Sequence, residues 1–112
     1  MTISRGEKEL QDLEQVFKAL ANASRRQVLI VLNARGGNMT AGEIAARFSC
    51  TWPTTSRHLR ILEQAGLVRV DRRGREWVYL LESERLRQVV GDWLNWFESS
   101  KEKKGKRDES AR

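Results

Sequence analysis

Arginine and hydroxyl side chains recur between residues 51 and 65 at a spacing that places them on one side of a helix. At 100° per residue, Arg57 and Arg60 lie opposite Leu59 and Leu62, so the helix would have a basic outer side and an apolar inner side. Such a helix fits the major groove of DNA, where arginine binds guanine through two hydrogen bonds and hydroxyl groups bind more permissively. A solvated basic surface is the alternative interpretation. The predicted DNA-binding residues of this segment are Thr51, Trp52, Thr54, Ser56, Arg57, His58 and Arg60.

A second basic group lies in residues 71–76, where three arginines surround Gly74. Valine residues before this segment, and aromatic and leucine residues after it, alternate with a period of two, which is typical of β-strands. Gly74 suits a turn position with positive φ. The pattern therefore predicts a hairpin with a loop at residues 71–76, and the arginines near its tip are Arg72, Arg73 and Arg75.

The chain has one cysteine, Cys50, and one histidine, His58. A single cysteine excludes an intrachain disulfide, and the pair offers too few ligands for a zinc-like ion, which takes three or four protein ligands. A general base needs a nucleophile and an orienting partner, and the sequence indicates neither beside His58. We therefore expect no enzyme activity, no metal site and no cofactor. Cys50 is expected to close the core at the end of a short helix, and a redox switch is the alternative.

Composition predicts one domain with a polyanionic partner. The chain has 112 residues, of which 39% are hydrophobic and 32% charged, and its net charge is +6. Between residues 21 and 97 all twelve basic residues are arginine, whose planar fork suits phosphate and guanine better than lysine does. Arginine usage typical of a GC-rich genome is the alternative. No apolar run is long enough for a membrane span or signal peptide, so we expect a cytoplasmic protein that does not bind a membrane.

Apolar spacing and capping residues predict five helices and the hairpin. The first helix covers residues 7–20, where apolar residues recur at intervals of three and four. The next three helices follow residues that can cap an N-terminus, and these are Asn22, Thr40 and Thr51. The last helix begins at Ser83. The expected domain covers residues 7–98, after a flexible N-terminus at residues 1–6 and before a disordered charged tail at residues 99–112.

The order helix, helix, short helix, helix, hairpin, helix is that of a winged helix-turn-helix, a mostly α fold of the α+β class with a β-hairpin wing. Three segments at these spacings resemble the ArsR family of bacterial repressors: LANASRR at residues 20–26, TAGEIA at residues 40–45 and SRHLRILEQAGLV at residues 56–68. The resemblance covers residues 10–97. It implies a homodimer that binds a palindromic operator in double-stranded DNA, often its own promoter or a neighbouring operon. It also implies contacts from the start of the recognition helix, with the wing arginines on the backbone or minor groove.

The sequence departs from the family pattern at Trp52 and Thr55, where many members have glutamine and valine. The operator sequence therefore cannot be carried over, and Trp52 is expected to touch a thymine methyl or a sugar edge. Metal-sensing members carry cysteine pairs or Asp/His pairs. This chain has Cys50 alone and no histidine after His58, so it resembles the metal-free members, which include simple autorepressors. The residues identify no small-molecule effector.

Apolar stripes on the first and last helices exceed what so small a domain can cover, so we expect them to meet in a homodimer. The predicted interface residues are Leu10, Leu13, Phe17, Val90, Trp93, Trp96 and Phe97. The alternative to DNA binding is a winged-helix module that binds another protein, in which Arg57 and Arg60 would be dispensable. A thiol-dependent enzyme would require an exposed Cys50 beside a base.

Overall fold

The helices and strands follow the predicted order, with one additional strand. The structure is a computed structural model that describes residues 4–111, and of residues 98–111 it describes only the backbone. The elements are α1 (Arg5–Leu20), α2 (Ala23–Ala34), β1 (Asn38–Thr40), α3 (Ala41–Arg47), α4 (Trp52–Gln64), β2 (Val68–Arg73), β3 (Glu76–Leu81) and α5 (Ser83–Ala111). Helices with a β-hairpin beside α4 make the fold a winged helix-turn-helix, as the sequence predicted.

Local capping determines where three of the helices begin. The Asn22 side chain accepts a hydrogen bond from the Arg25 N–H at 3.2 Å, and the Thr51 side chain caps α4. Thr40 and Glu43 form the predicted capping box, with the Glu43 N–H donating to the Thr40 hydroxyl at 3.1 Å and the Thr40 N–H donating to the Glu43 carboxylate at 2.9 Å. Each cap satisfies backbone donors that a helix start leaves unpaired.

The core lies under the inner side of α4. Leu59 and Leu62 of α4 are at most 1% exposed and pack with Leu32 of α2 and Ile44 of α3. The inner side therefore is the one that the helical spacing predicted. Because truncating a buried leucine to alanine costs about 2–5 kcal/mol, this packing fixes which side of α4 faces outward.

The additional strand, β1, joins the hairpin in a three-stranded antiparallel sheet of order β1-β3-β2. Met39 pairs with Tyr79, and Thr40 pairs with Val78. A strand of three residues has no detectable period, and its partner lies about forty residues later in the chain, so sequence patterning did not find it. Thr40 both ends β1 and caps α3.

The hairpin is longer and its turn is tighter than predicted. Arg72 pairs with Trp77 and Arg73 pairs with Glu76, so the strands continue through the predicted loop and only two residues connect them. One of these is Gly74, whose φ of 63° is positive as expected. The predicted six-residue loop is wrong because the strand pairing continues through polar residues after the apolar alternation ends.

The ends of the chain differ from the predicted boundaries. α1 begins at Arg5 with Ser4 as its N-cap, two residues earlier than expected, and residues 1–3 of the predicted flexible N-terminus lie outside the described residues. α5 extends to Ala111, past the end expected near residue 98, because lysine and glutamate favour helix even without an apolar face. The disordered tail stays a prediction, since the side chains there are not described. No helix in the described part of the chain is both long and apolar enough to cross a membrane.

Candidate nucleic-acid interface

The outer side of α4 is exposed and basic. Arg57 and Arg60 are exposed there, opposite the buried Leu59. Thr54 and Trp52 are exposed at the start of the helix, and 46% of Trp52 is accessible. The arrangement leaves two guanidinium groups and a hydroxyl on the exposed side of a helix, and such a helix can enter a major groove.

A cleft separates α4 from the wing. Its volume is about 440 Å³. The lining residues are Trp52, Ser56, Arg60 and Glu63 of α4 and Val70, Trp77 and Tyr79 of the sheet. Sequence reasoning did not select Trp77 or Tyr79 as functional residues. The available signal was an exposed tryptophan in a strand beside arginines, and Trp77 is 48% accessible.

The three wing arginines have different surroundings. Arg72 lies on the side of the cleft, where its Nε donates to the Gly74 carbonyl at 3.3 Å and its guanidinium lies 5.2 Å from the centre of the Trp77 ring. Arg73 lies on the other face of the hairpin and pairs with Asp71 at 3.8 Å. Arg75 is exposed in the turn. The structure therefore brings Arg72 together with α4 across the cleft and separates it from Arg73.

Comparisons with known proteins identify this arrangement. Residues 20–71 match the sequence family described as a helix-turn-helix domain. The transcriptional repressor SdpR of Bacillus subtilis is 39% identical over 84 residues, which cover 75% of this chain and 87% of that protein. The crystal structure of the ArsR family transcriptional regulator RHA00566 has a TM-score of 0.73 and 32% identity, covering 81% of this chain and 97% of that one. The chain belongs to the ArsR family of transcriptional regulators.

A further ArsR-type structure is similar over almost the whole described chain. It is the solution structure of the homodimeric winged helix-turn-helix DNA-binding domain of Mb0332 from Mycobacterium bovis. The TM-score is 0.67 at 27% identity, and the match covers 88% of this chain and 90% of that fragment. The family and the fold expected from the three sequence segments are thus confirmed.

In this ArsR-family chain, His58 lies off the outer side of α4. It is half-buried, and its Nδ1 lies 3.3 Å from Nη1 of Arg25. Burial lowers the pKa of His58 below its ordinary value of 6.5, and the positive charges of Arg25 and Arg57 lower it further. Because guanidinium has no acceptor, the neutral ring must accept this hydrogen bond at Nδ1. Contact between His58 and DNA stays a prediction.

Cys50 does not close the core of this ArsR-family chain. The thiol is exposed, so the expected structural role is wrong. α3 ends at Arg47, and Phe48 packs against the core at the point where the cysteine was expected. The redox alternative for Cys50 stays a prediction. Within residues 4–97, no three histidine, cysteine or carboxylate side chains gather where they could hold a metal ion.

The predicted interface residues of α1 and α5 lie on neighbouring helices and form an apolar surface. Leu10, Trp96 and Phe97 are 60% to 77% accessible. The Trp93 ring contacts Phe17 at 5.2 Å and Phe97 at 5.1 Å between centroids, both edge to face. Three of the predicted residues are only half-buried within the protomer, and these are Leu13, Phe17 and Val90. Leu94 is 49% accessible on the same helix and was not predicted.

One side chain links the α1–α5 surface to the end of α4. Arg85 of α5 forms an ion pair with Asp12 of α1 at 3.4 Å. Its Nε is buried and has no hydrogen-bond partner among the described residues. Gly66, which ends α4 with a φ of 76°, lies directly beneath it: a Cβ there would come within 3.0 Å of the Arg85 Nε. Arg85 and Asp12 also line a 390 Å³ cleft between α1 and α5.

Proposed function

We propose that this chain is a homodimeric repressor that binds a palindromic operator in double-stranded DNA, at its own promoter or that of a neighbouring operon. The observation that carries the proposal is the exposed basic side of α4, with Arg57 and Arg60 outward and the wing beside it. The repressor name of the Bacillus subtilis relative supports the direction of regulation. A protein-binding winged helix would have no need of two arginines in these positions.

The proposed contacts divide between base edges and the DNA backbone. Arg57 and Arg60 are positioned to reach bases in the major groove, where arginine recognises guanine. Thr51, Trp52, Thr54 and Ser56 lie at the start of α4, whose N-terminus also favours phosphate. Arg72, Arg73 and Arg75 would neutralise phosphates from the wing, and Arg73 must first leave Asp71. We assign to His58 the role of positioning α4 through its contact with Arg25.

The proposed dimer uses the apolar surface of α1 and α5. Leaving Leu10, Trp96 and Phe97 exposed to water in a monomer would be unfavourable. A twofold contact would bury these three residues of both protomers at once. The homodimeric state of the Mycobacterium bovis domain supports this arrangement. A twofold dimer would present two α4 helices to half-sites one helical turn apart, about 34 Å, or a multiple of that distance.

The proposal also covers location and cofactors. We infer a cytoplasmic regulator that acts without enzyme activity, because among the described residues neither Cys50 nor His58 is accompanied by the groups that catalysis requires. Operator binding should need no metal, since two potential soft ligands per protomer cannot complete a zinc-like site.

The test is selection of duplex DNA from a random pool by the full 112-residue chain. We expect an enriched inverted repeat, bound by two protomers, as measured by mobility shift and sedimentation in the presence of a chelator. Arg57→Ala should weaken the preference at one base pair of each half-site without altering the far-UV circular dichroism. Failure of the wild-type chain to enrich any sequence would reject the proposal and favour a protein partner.

A further inference from the structure

We propose that one sugar–phosphate strand of the DNA runs through the cleft between α4 and the wing, with a deoxyribose held between the indoles of Trp52 and Trp77. The inference rests on the proposed function, because it requires duplex DNA on the outer side of α4. It assigns Trp77 as a DNA-contacting residue and Arg72 as the residue that positions it.

Each wall of the cleft carries one indole, Trp52 on α4 and Trp77 on the wing. Trp52, Ser56 and Arg60 follow one another at intervals of four residues along α4, so this wall extends roughly 12 Å. On the opposite wall, Trp77 and Tyr79 lie on the same face of β3 because side chains two residues apart share a face. Both tryptophans are about half accessible, at 46% and 48%. Two exposed indoles in one cleft are unusual on a free protein surface, and burying them requires an occupant.

The wing holds Trp77 in a fixed orientation. Arg72, its cross-strand partner, covers the ring at 5.2 Å. The same arginine donates to the Gly74 carbonyl at 3.3 Å, which ties it to the turn. A stacked arginine on an indole is worth about 0.5–1 kcal/mol at an exposed site. The indole is therefore positioned before any ligand binds.

Charge determines how far a DNA strand can enter. Arg72 lies over the Trp77 ring and attracts phosphates, and Arg60 adds positive charge to the α4 wall of the cleft. Glu63, one turn further along α4, lies near Tyr79, and together with burial its negative charge raises the pKa of the tyrosine hydroxyl. Because a carboxylate repels phosphate, the strand would occupy the outer part of the cleft, between the two indoles.

The chemistry of duplex DNA favours the sugar as the group between the rings. Bases in a duplex are stacked inside and expose only their edges in the grooves. Between successive phosphates, the backbone presents the C–H edges of deoxyribose, which are apolar and fit against an indole face. A strand in this position would join the major groove under α4 to the minor groove under the wing tip.

This contact predicts a loss of affinity without a change in sequence preference or salt dependence. Trp77→Ala should weaken binding to the selected operator and to random duplex by the same factor, about tenfold, because only apolar burial is lost. The slope of log K against log salt should stay unchanged. Trp77→Phe, which keeps an aromatic face, should retain most of the affinity. Arg72→Gln is the matched control, and it should lower the slope by about one unit.

The direct test uses fluorine NMR of the full chain labelled with 5-fluorotryptophan. The four tryptophans give four resonances, which are assigned with single Trp→Phe variants. Addition of the selected operator should shift the resonances of Trp52 and Trp77. The resonances of Trp93 and Trp96, on α5, serve as internal controls and should not move.

Three outcomes would overturn the inference. Tight operator binding with an unshifted Trp77 resonance would show that no DNA strand occupies the cleft, but it would leave the proposed function intact. A reduced salt slope for Trp77→Ala means that the indole acts only by holding Arg72. A change in sequence preference for Trp77→Ala means that it contacts a base instead of the sugar. If the chain binds no duplex DNA at all, both the inference and the proposed function fail.

Discussion

Nη1 of Arg25 lies 3.3 Å from Nδ1 of His58, and this contact joins α2 to the recognition helix α4. The same guanidinium donates to the carbonyl groups of Ala19 and Lys18 at the end of α1, at 2.8 and 3.0 Å. One side chain therefore holds three helices in register. Each of its three guanidinium nitrogens has a partner inside the protein, so Arg25 is part of the frame behind the DNA-binding side.

The Arg25–His58 contact predicts a loss of stability in mild acid. The pKa of folded His58 lies below 6.5, so well above pH 6.5 the ring is neutral in both the folded and the unfolded chain, and proton binding does not affect stability. As the pH falls below 6.5, the unfolded chain takes up a proton that the folded chain resists, and the free energy of unfolding decreases. The decrease ends once the pH is below the folded pKa. Urea unfolding at pH 5 and pH 7.5 measures it.

The matched variant for this prediction is His58→Asn, whose amide oxygen can replace Nδ1 as an acceptor but does not titrate. Because His58 is the one histidine of the chain, the difference in stability between pH 7.5 and 5 should be smaller in the variant than in the wild type. Equal differences in the two proteins would contradict the role of this contact.

Arg57 and Arg75 should contribute differently to DNA binding. Both are exposed, but Arg57 lies on α4 and Arg75 lies in the turn of the wing. Arg57→Ala should reduce discrimination by about 1–3 kcal/mol at one base pair. Arg75→Ala should weaken all sequences alike and lower the salt slope by about one unit. Equal losses on operator and random DNA for Arg57→Ala would exclude base recognition by this residue.

Leu10 offers the cleanest test of the dimer, because it is exposed in the protomer. Leu10→Glu should raise the dimer dissociation constant at least about tenfold, since burying an unpaired carboxylate costs several kcal/mol. Ile30→Glu on α2 is the control: the two aliphatic side chains are 68% and 60% accessible, and only Leu10 lies on the proposed interface. Sedimentation equilibrium should show a shift for the first variant alone. A monomeric wild type that still binds its operator tightly would refute the interface.

Alanine substitutions at Gly66 and Gly74 distinguish the cost of backbone strain from the cost of a clash with Arg85. Both have positive φ, 76° and 63°, but a Cβ would meet Arg85 at 3.0 Å in the first case and open space in the second. Gly74→Ala should cost about 1–2 kcal/mol from the backbone conformation alone. Gly66→Ala should cost more, as measured by chemical unfolding. In an Arg85→Ala background the two costs should converge, and an unchanged gap would show that Arg85 does not cause it.

The buried hydroxyl of Thr55 indicates that an apolar substitution at this position would stabilise the protein. Its hydroxyl oxygen is buried and has no hydrogen-bond partner within the described part of the chain, and an unsatisfied buried polar atom is unfavourable. Thr55→Val keeps the shape and should raise the free energy of unfolding by about 1 kcal/mol. Thr55→Ser keeps the hydroxyl but removes the methyl group, so it should be less stable than the wild type. Loss of stability in the valine variant would indicate a partner for the hydroxyl.

The sequence predicted those features that depend on residues close together in the chain. Asn22, Thr40 and Thr51 each cap a helix through a group at most three residues away, and Gly66 ends α4. The inner and outer sides of α4 followed from helical geometry alone. The two predicted groups of arginines, on α4 and on the wing, are both exposed.

The features that were missed depend on tertiary contacts that no local pattern shows. β1 needs its partner in β3, and the exposure of Cys50 depends on Phe48 taking the buried place. The arginine count also overstated the basic surface. Arg25 binds the end of α1, and Arg35 forms an ion pair with Glu43 at 3.1 Å, so these arginines hold the fold together. Residue type alone does not distinguish such arginines from those that face a ligand.

Thr40 couples the wing to the helix-turn-helix. It is the last residue of β1, which pairs with β3 of the wing, and it is also the N-cap of α3. Thr40 therefore connects the base of the wing directly to α3, and a rotation of one should displace the other. Only the part of the hairpin beyond β1 can bend independently. Association with DNA should accordingly involve little loss of backbone entropy, and amide hydrogen exchange should slow mainly at the wing tip when DNA binds.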